Sequence, residues 1–355
     1  MGIDHSVEIL SLDGKSDPWV KESAISIHAL GPGLGKFGFN RRFNAWLTTY
    51  ARDYDVFVIN GIWQYHSFAA HQVLKSQNRD YFLFIHGMLD PWFKHRYPLK
   101  HLKKCLYWPW GEYPVLRDAR KVLFTCENEK IQARQSFRLY HCNEHVVNYG
   151  TAGHAGNTDV QRRQFLEAFP DLQGKRYLLF LSRIHPKKGV DILIKAFART
   201  TRSRPDLRLV IAGPDQVGWR ARLQKIAENQ GIAGNITWTG MLTGDMKWGA
   251  YQSAEAFILP SHQENFGIVV AEALSCSLPV LISDKVNIWK EILEDKAGIV
   301  ANDTEAGCID LLNRWLEMND DSKAKMRVNA HGCFLNHFEI TSAAMNLLDV
   351  YSTKQ

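Results

Sequence analysis

The sequence predicts an α/β protein built of two domains with parallel sheets. Three observations carry this reading. The chain has 355 residues, and at about 150 residues per domain that length favours two domains. Short apolar, β-branched runs alternate with helical patterns from end to end, the arrangement that gives parallel sheets with crossover helices. Hydrophobic residues make up 45% and charged residues 23%, the balance of a globular protein. That balance excludes disordered, collagen-like and repeat-dominated chains.

In chain order, the first series of strands is expected at 7–12, 24–30, 56–60, 81–86, 122–126 and 146–149. A second series is expected at 177–182, 207–212, 236–239, 256–260, 280–283 and 298–300. Residues 150–174 are Gly-, Ala- and Asn-rich and then polar, without strand character. They read as a linker between two Rossmann-like domains facing each other across a cleft. The expected limits are 1–150 for the first domain, 151–174 for the linker and 175–336 for the second domain. A last amphipathic helix lies within 337–355, with Met345, Leu348 and Tyr351 on one face. It follows a complete second domain and is expected to cross back to the first.

The second series is the better punctuated. After 177–182 comes the loop Arg183-Ile184-His185-Pro186-Lys187-Lys188-Gly189. A helix follows with Val190, Leu193, Ile194 and Phe197 at i, i+3, i+4 and i+7, a buried stripe. The strand at 207–212 ends in Gly213-Pro214-Asp215, and that at 236–239 in Gly240. The strand at 256–260 runs into Ser261-His262-Gln263-Glu264-Asn265-Phe266-Gly267, and a helix then carries Val269, Val270, Ala273 and Leu274. Each loop lies at the carboxyl end of a parallel strand, where open α/β sheets bind ligands.

Charge and apolar runs bound the function. Lys and Arg number 43 against 37 Asp and Glu, a net charge of +6, too mild for a protein that coats nucleic acid. No apolar run approaches the ~18 residues of a membrane span. The first residues lack the charged and apolar regions of a signal peptide, so a cytoplasmic location is expected. None of the six cysteines lies in a C-x-x-C pair. Their spacings suit neither a zinc site nor a disulfide framework, and they read as buried thiols in a reducing compartment.

The chemistry concentrates between Glu264 and Glu272. Glu264 precedes a helix and Glu272 lies within it, and the backbone between them offers N–H groups at a helix N-terminus, a natural phosphate seat. Gly267 lets that backbone approach an anion closely. A carboxylate on each flank can accept hydrogen bonds from sugar hydroxyls. Together these parts suit a diphosphate with a sugar on either side. The plainer alternative is a capping glutamate and a solvated one. Arg183 and Lys188 leave the tip of the second domain's first strand and would neutralise a diphosphate as a leaving group. Alone, they are equally a solvated basic turn.

Ser182-Arg183, Lys188-Gly189, Ala212-Gly213-Pro214 and Glu264-Asn265-Phe266-Gly267 with Glu272-Ala273 together resemble the retaining GT-B glycosyltransferases of family 4. The Glu-x7-Glu element is that family's signature. Gly61-Ile62-Trp63-Gln64-Tyr65-His66 and His86-Gly87-Met88-Leu89-Asp90-Pro91-Trp92 resemble a bacterial subgroup that builds exopolysaccharide or lipopolysaccharide. The resemblance implies a GT-B fold and a nucleotide-diphosphate sugar donor, UDP- or GDP-linked. It implies that Arg183 and Lys188 hold the donor phosphates, and that Glu264 binds the donor sugar hydroxyls. The backbone of Asn265, Phe266, Gly267 and Ile268 would contact sugar and diphosphate, and Glu272 the ribose. His86 would stand at the acceptor side near the transferred sugar; as a plain structural residue it would pack or cap after a strand. The family needs no metal, and its departing phosphate oxygen serves as base for the acceptor hydroxyl. That fits a sequence without an obvious pair of catalytic carboxylates. One departure stands out. Residues 4–10 look like the end of the family's first helix and its second strand, so the first domain is expected to lack its first βα unit.

Two other features carry rival readings. Gly33-Leu34-Gly35-Lys36-Phe37-Gly38 satisfies G-x-G-x-x-G with Asp53 and Asp55 downstream, the pattern of an NAD-dependent oxidoreductase. It is weak alone, and a flexible cleft loop is the competing reading. A degenerate, non-catalytic nucleotide-sugar binder is a third. From Trp92 to Lys121, the eight cations Lys94, Arg96, Lys100, Lys103, Lys104, Arg117, Arg120 and Lys121 face only Glu112 and Asp118, with Trp92, Phe93, Tyr97, Tyr107, Trp108 and Trp110 interleaved. Such a surface suits anionic lipid head groups or a lipid-linked acceptor, and so weak peripheral contact with the inner membrane face. A solvated helix over core aromatics is the plain alternative; nucleic acid is not expected as a partner.

Overall fold

A computed structural model describes residues 5–147, 149–202 and 204–352. The chain forms two compact units that part between Val147 and residue 149.

Unit 1 runs β1 (Glu8–Ser11), α1 (Pro18–Lys21), β2 (Ser26–Ala29), α2 (Arg41–Tyr50), β3 (Val58–Asn60), α3 (Tyr65–Ser76), β4 (Phe82–Phe84), α4 (Trp92–Arg96), α5 (Pro98–Tyr107), α6 (Tyr113–Arg117), β5 (Lys121–Phe124), α7 (Glu127–Ala133) and β6 (Glu144–Val146). All its strands pair in parallel. They fall into a two-stranded sheet, β1-β2, and a four-stranded one, β3-β4-β5-β6. In a doubly wound sheet the first strand is central; among the described residues no ladder joins the two pieces. Leu10, Leu12 and Leu30 instead pack the small sheet against the unit's core, which Leu83, Val122 and Phe124 line with no exposure.

Unit 2 runs α8 (Thr158–Ala168), β7 (Arg176–Leu181), α9 (Val190–Thr200), β8 (Leu207–Ala212), α10 (Arg220–Asn229), β9 (Ile236–Gly240), α11 (Gly244–Ser253), β10 (Ala256–Leu259), α12 (Ile268–Ser275), β11 (Val280–Ser283), α13 (Trp289–Glu294), β12 (Gly298–Ala301), α14 (Glu305–Glu317), α15 (Asp320–His337) and α16 (Ile340–Ser352). Its sheet has six parallel strands in the order β12-β11-β10-β7-β8-β9. Winding therefore runs outward from β7 through β8 to β9, then returns to β10 on the other side of β7. The predicted stripe holds: Val190, Leu193, Ile194 and Phe197 of α9 are all fully buried.

Several elements differ from expectation. The last strand of unit 1 lies at 144–146 rather than 146–149. Glu144 can occupy this edge strand because Arg134 Nε donates to its carboxylate at 2.9 Å and the Tyr140 hydroxyl at 3.0 Å. The stretch expected as linker holds α8, which packs on α11 through buried Phe165 and Gln161. Gln161 tolerates burial because it bonds His154, the Ala155 carbonyl and Asp245, each at 2.8 Å. The terminal helix begins at Ile340, after α15 has ended at His337. Its buried residues are Ala343 and Val350; of the expected face, Leu348 and Tyr351 are half-buried while Met345 is 52% exposed. Cys105 is exposed and Cys142 partly so; the other four thiols are buried and all six are free.

Candidate functional site

The strand order fixes where a site can form. β7 and β10 are neighbours, yet the chain leaves them in opposite directions, which opens a crevice at their carboxyl ends. Both predicted motifs lie there. Gly189 takes φ +68°, and a Cβ on it would sit 2.1 Å from the Pro260 carbonyl oxygen, so the loops after β7 and β10 touch backbone to backbone. His262 N–H donates to the Lys187 carbonyl at 2.7 Å and the Ser261 hydroxyl donates to it at 3.0 Å. On the far side, Glu264 N–H donates to the Lys285 carbonyl at 2.9 Å, and Asn287 N–H to the Glu264 carbonyl at 3.1 Å. The 261–267 loop is thus held from both flanks.

Within this frame the Lys188 ammonium is buried and pairs with the Glu264 carboxylate. Gly267, at φ +77°, is the N-cap of α12, and a Cβ there would come 3.2 Å from Glu264 Cγ. The first N–H groups of α12 have no intrahelical acceptors. A cation, a helix N-terminus and a carboxylate therefore meet at one point. Phe266 turns into the unit, with its ring 5.2 Å from that of Tyr149 and 5.6 Å from that of Phe338. Its side chain is therefore packed away and cannot itself contact a ligand. Ile268 is exposed and Asn265 half-buried.

Glu272, one turn into α12, is buried. It accepts from Lys247 Nζ at 2.7 Å and from the Tyr251 hydroxyl at 3.1 Å, both on α11. Burial, then the Glu272 charge, holds the Tyr251 hydroxyl well above the usual phenol range. Lys247 and Tyr251 were not picked out from sequence; their i, i+4 spacing on one helix face was the available signal. Arg183 is exposed, and its guanidinium donates to Gln216 Oε1 at 3.3 Å. The two predicted cations thus have different partners, and only Lys188 reaches Glu264. A second pair, His262 Nδ1 to Asp303 Oδ2 at 2.8 Å, braces the same loop against the end of β12.

His86 belongs to unit 1. It follows β4, is half-buried and takes φ +48°, a conformation that costs a non-glycine residue on the order of 1–3 kcal/mol. Its Nε2 lies 2.9 Å from Asn60 Oδ1 at the end of β3, and its ring stacks on Phe84 at 5.3 Å. Burial lowers its pKa, which favours the neutral imidazole. Asn60 is a partner that sequence reasoning missed.

The rival motif folds otherwise. Leu34 and Phe39 exchange backbone hydrogen bonds at 2.9 and 3.1 Å, and Gly38 N–H donates to the Gly35 carbonyl at 3.2 Å. The segment closes on itself as a tight hairpin, and α2 starts only at Arg41. A dinucleotide loop instead leads straight from a strand into a helix N-terminus.

Residues 162–332 match the family described as Glycosyl transferases group 1, and residues 3–150 the Glycosyl transferase 4-like domain. The chain is 26% identical over 244 residues to an alpha-D-kanosaminyltransferase of Streptomyces kanamyceticus, covering 68% of this chain and 62% of that protein. It is 30% identical over 206 residues to a D-inositol 3-phosphate glycosyltransferase of Thermomonospora curvata, covering 54% of this chain and 47% of that protein. The alignments thus span less than two thirds of these relatives' length. Among solved structures, a glycosyltransferase from Rickettsia africae superposes with a TM-score of 0.79 at 15% identity, over 98% of this chain and 89% of that one. HepE from Anabaena, solved with UDP and glucose, gives 0.74 at 16% identity, over 94% and 88%. The fold is that of the GT-B glycosyltransferases, with two Rossmann-like domains.

Proposed function

We propose that this chain, with its 4-like and group 1 glycosyltransferase domains, moves a hexosyl group from a nucleotide-diphosphate sugar, with retention at the anomeric carbon. The acceptor is a glycan or lipid-linked sugar of surface polysaccharide synthesis. The observation that carries the reading is the meeting of Lys188, Glu264 and the α12 N-terminus at the point where the sheet reverses. Support for the donor class comes from HepE, which was solved with UDP and glucose and with UDP-glucose.

In this reading the diphosphate lies over the N-terminus of α12, between Lys188 and Arg183. Charge develops on the departing phosphate as the C1–O bond breaks, and both cations stabilise it. Glu264 takes the sugar hydroxyls and Glu272 the ribose. The backbone of Asn265, Phe266, Gly267 and Ile268 contacts sugar and diphosphate. The departing phosphate oxygen accepts the proton of the acceptor hydroxyl, whose oxygen bonds to C1 on the same face. His86, neutral, stands on the acceptor side. No metal enters the scheme.

The membrane contact rests on α5. Leu99, Leu102 and Leu106 lie along it at 78%, 59% and 71% exposure, with Lys100 and Lys103 also exposed. Exposed leucines beside lysines fit an interfacial helix on anionic lipid. No described helix is long and apolar enough to cross a membrane.

A thermal-shift panel of UDP, GDP, ADP and NAD tests the donor class, since a ligand of the folded state raises the melting temperature. We expect UDP or GDP to respond and NAD not to. Hydrolysis of the responding nucleotide-sugars, with the released anomer read by NMR, tests retention. A response to NAD alone would overturn the reading.

A further inference from the structure

The helices α13 and α15 pack together and carry none of the residues placed at the donor site. Each presents two potential ligands spaced i, i+4, and so on one face: Glu291 and Asp295 on the α13 side, Cys333 and His337 on α15. The ligand atoms of Asp295, Cys333 and His337 all lie within 4.8 Å of one another. His337 Nε2 stands 3.2 Å from Asp295 Oδ2, and Cys333 Sγ lies 3.9 Å from the Glu291 carbonyl. An independent observation points to the same place. Glu291 Oε2 is buried without a hydrogen-bond partner, and Asp295 Oδ2 is buried with the His337 imidazole as an ion-pair neighbour but no well-formed hydrogen bond. Two buried carboxylate oxygens four residues apart, on α13 and at its C-cap, neither in a well-formed hydrogen bond, favour a cation there.

We infer that Asp295, Cys333 and His337 bind a zinc ion that ties α13 to α15. A thiolate, an imidazole and a carboxylate form the mixed donor set that suits this ion. Cys333 is 1% exposed, so the sulfur faces inward. The His337 and Asp295 side chains keep 34% and 27% exposure, an entry path from solvent. On binding, the Cys333 thiol gives its proton to solvent and the sulfur takes up the metal bond. Water fills the fourth position. The sequence alone concealed the site because Cys-x3-His is half a ligand set, completed from a helix about 40 residues earlier.

The test uses the full chain, dialysed against chelator and titrated with cobalt(II) chloride. We expect one equivalent to bind with a thiolate-to-cobalt charge-transfer band that zinc sulfate abolishes. Cys333→Ser should lose the band. His337→Gln and Asp295→Asn alter partly exposed side chains, and so decide the matter if Cys333→Ser does not fold. Each should weaken cobalt binding about 10-fold or more, since even outer partners of a metal site are worth 10–100-fold. Absence of the band at one equivalent, or unchanged affinity in both His337→Gln and Asp295→Asn, would overturn the inference.

Discussion

The Lys188 ammonium rests on the Glu264 carboxylate across the boundary between β7 and β10, where the sheet of unit 2 changes its direction of winding. Neither residue is near the other in sequence. Their contact exists because the strand order makes the first and fourth strands of the unit neighbours.

This contact separates the roles of the two predicted cations. Lys188→Ala leaves the half-buried Glu264 carboxylate without its partner, so it should lower both the melting temperature and turnover. Arg183→Ala removes an exposed side chain and should leave the melting temperature unchanged. Both should reduce turnover about 100-fold or more at saturating donor, because leaving-group charge develops in the transition state. Sugar-release kinetics and calorimetric melting on the two variants check this. Near-native rates in both would remove them from the site.

Glu272 is expected to act on affinity. Its carboxylate is already held by Lys247 and Tyr251, so Glu272→Gln loses a charge-assisted interaction with a ribose, on the order of 1.5–3 kcal/mol. Titration calorimetry with the responding nucleoside diphosphate should show it, while Glu264→Ala should mainly impair turnover. Unchanged affinity in Glu272→Gln would sink the ribose assignment.

Stability should depend on pH through Glu112. This residue is fully buried in unit 1, and Trp63 N–H donates to its Oε1 at 3.0 Å. Burial pushes its carboxyl up to about 7, against the opposing pull of that hydrogen bond and of the Lys104 charge. The folded state therefore holds the proton more tightly than the unfolded one. The contribution is full below about pH 4.5 and declines by about 3 kcal/mol as pH rises to about 7. Denaturation midpoints from pH 5 to 8 should fall with pH, and Glu112→Gln should flatten that difference. A variant with the wild-type slope would contradict the assignment.

Membrane attachment should depend on α5. Co-sedimentation with vesicles containing anionic lipid should fall steeply with salt, since each surface lysine contributes about 1 kcal/mol within a Debye length. Lys100→Glu with Lys103→Glu, or serine at Leu99, Leu102 and Leu106, should abolish it. Lys104 is the wrong probe: its ammonium sits 4.0 Å over the Trp63 ring, and burial lowers its pKa. Salt-independent binding would assign the helix to another role.

What the sequence disclosed follows a physical division. Strands such as β7 were legible because a run like Tyr177-Leu178-Leu179-Phe180-Leu181 suits a strand covered on both faces. The Glu264–Glu272 segment was legible because one loop and one helix carry all of it. Lys247 was not, since a lysine on a helix reads as solvated until Glu272 of another element is brought beside it. The helix α8 was hidden by its composition, with only Phe165 and Gln161 buried and a glutamine no sign of burial. Lys104 is the opposite case: among basic neighbours it reads as a surface charge, yet it lies over the Trp63 ring.

The divided sheet of unit 1 sets an order of opening. A two-stranded sheet is marginal alone, and β1 and β2 have four residues each. Their protection comes from three leucines on the neighbouring core rather than from a continuous ladder. Backbone amides at 8–11 and 26–29 should thus exchange with deuterium through local fluctuations. Those of β7, β8 and β10, central in a six-stranded sheet, should exchange only when unit 2 unfolds as a whole.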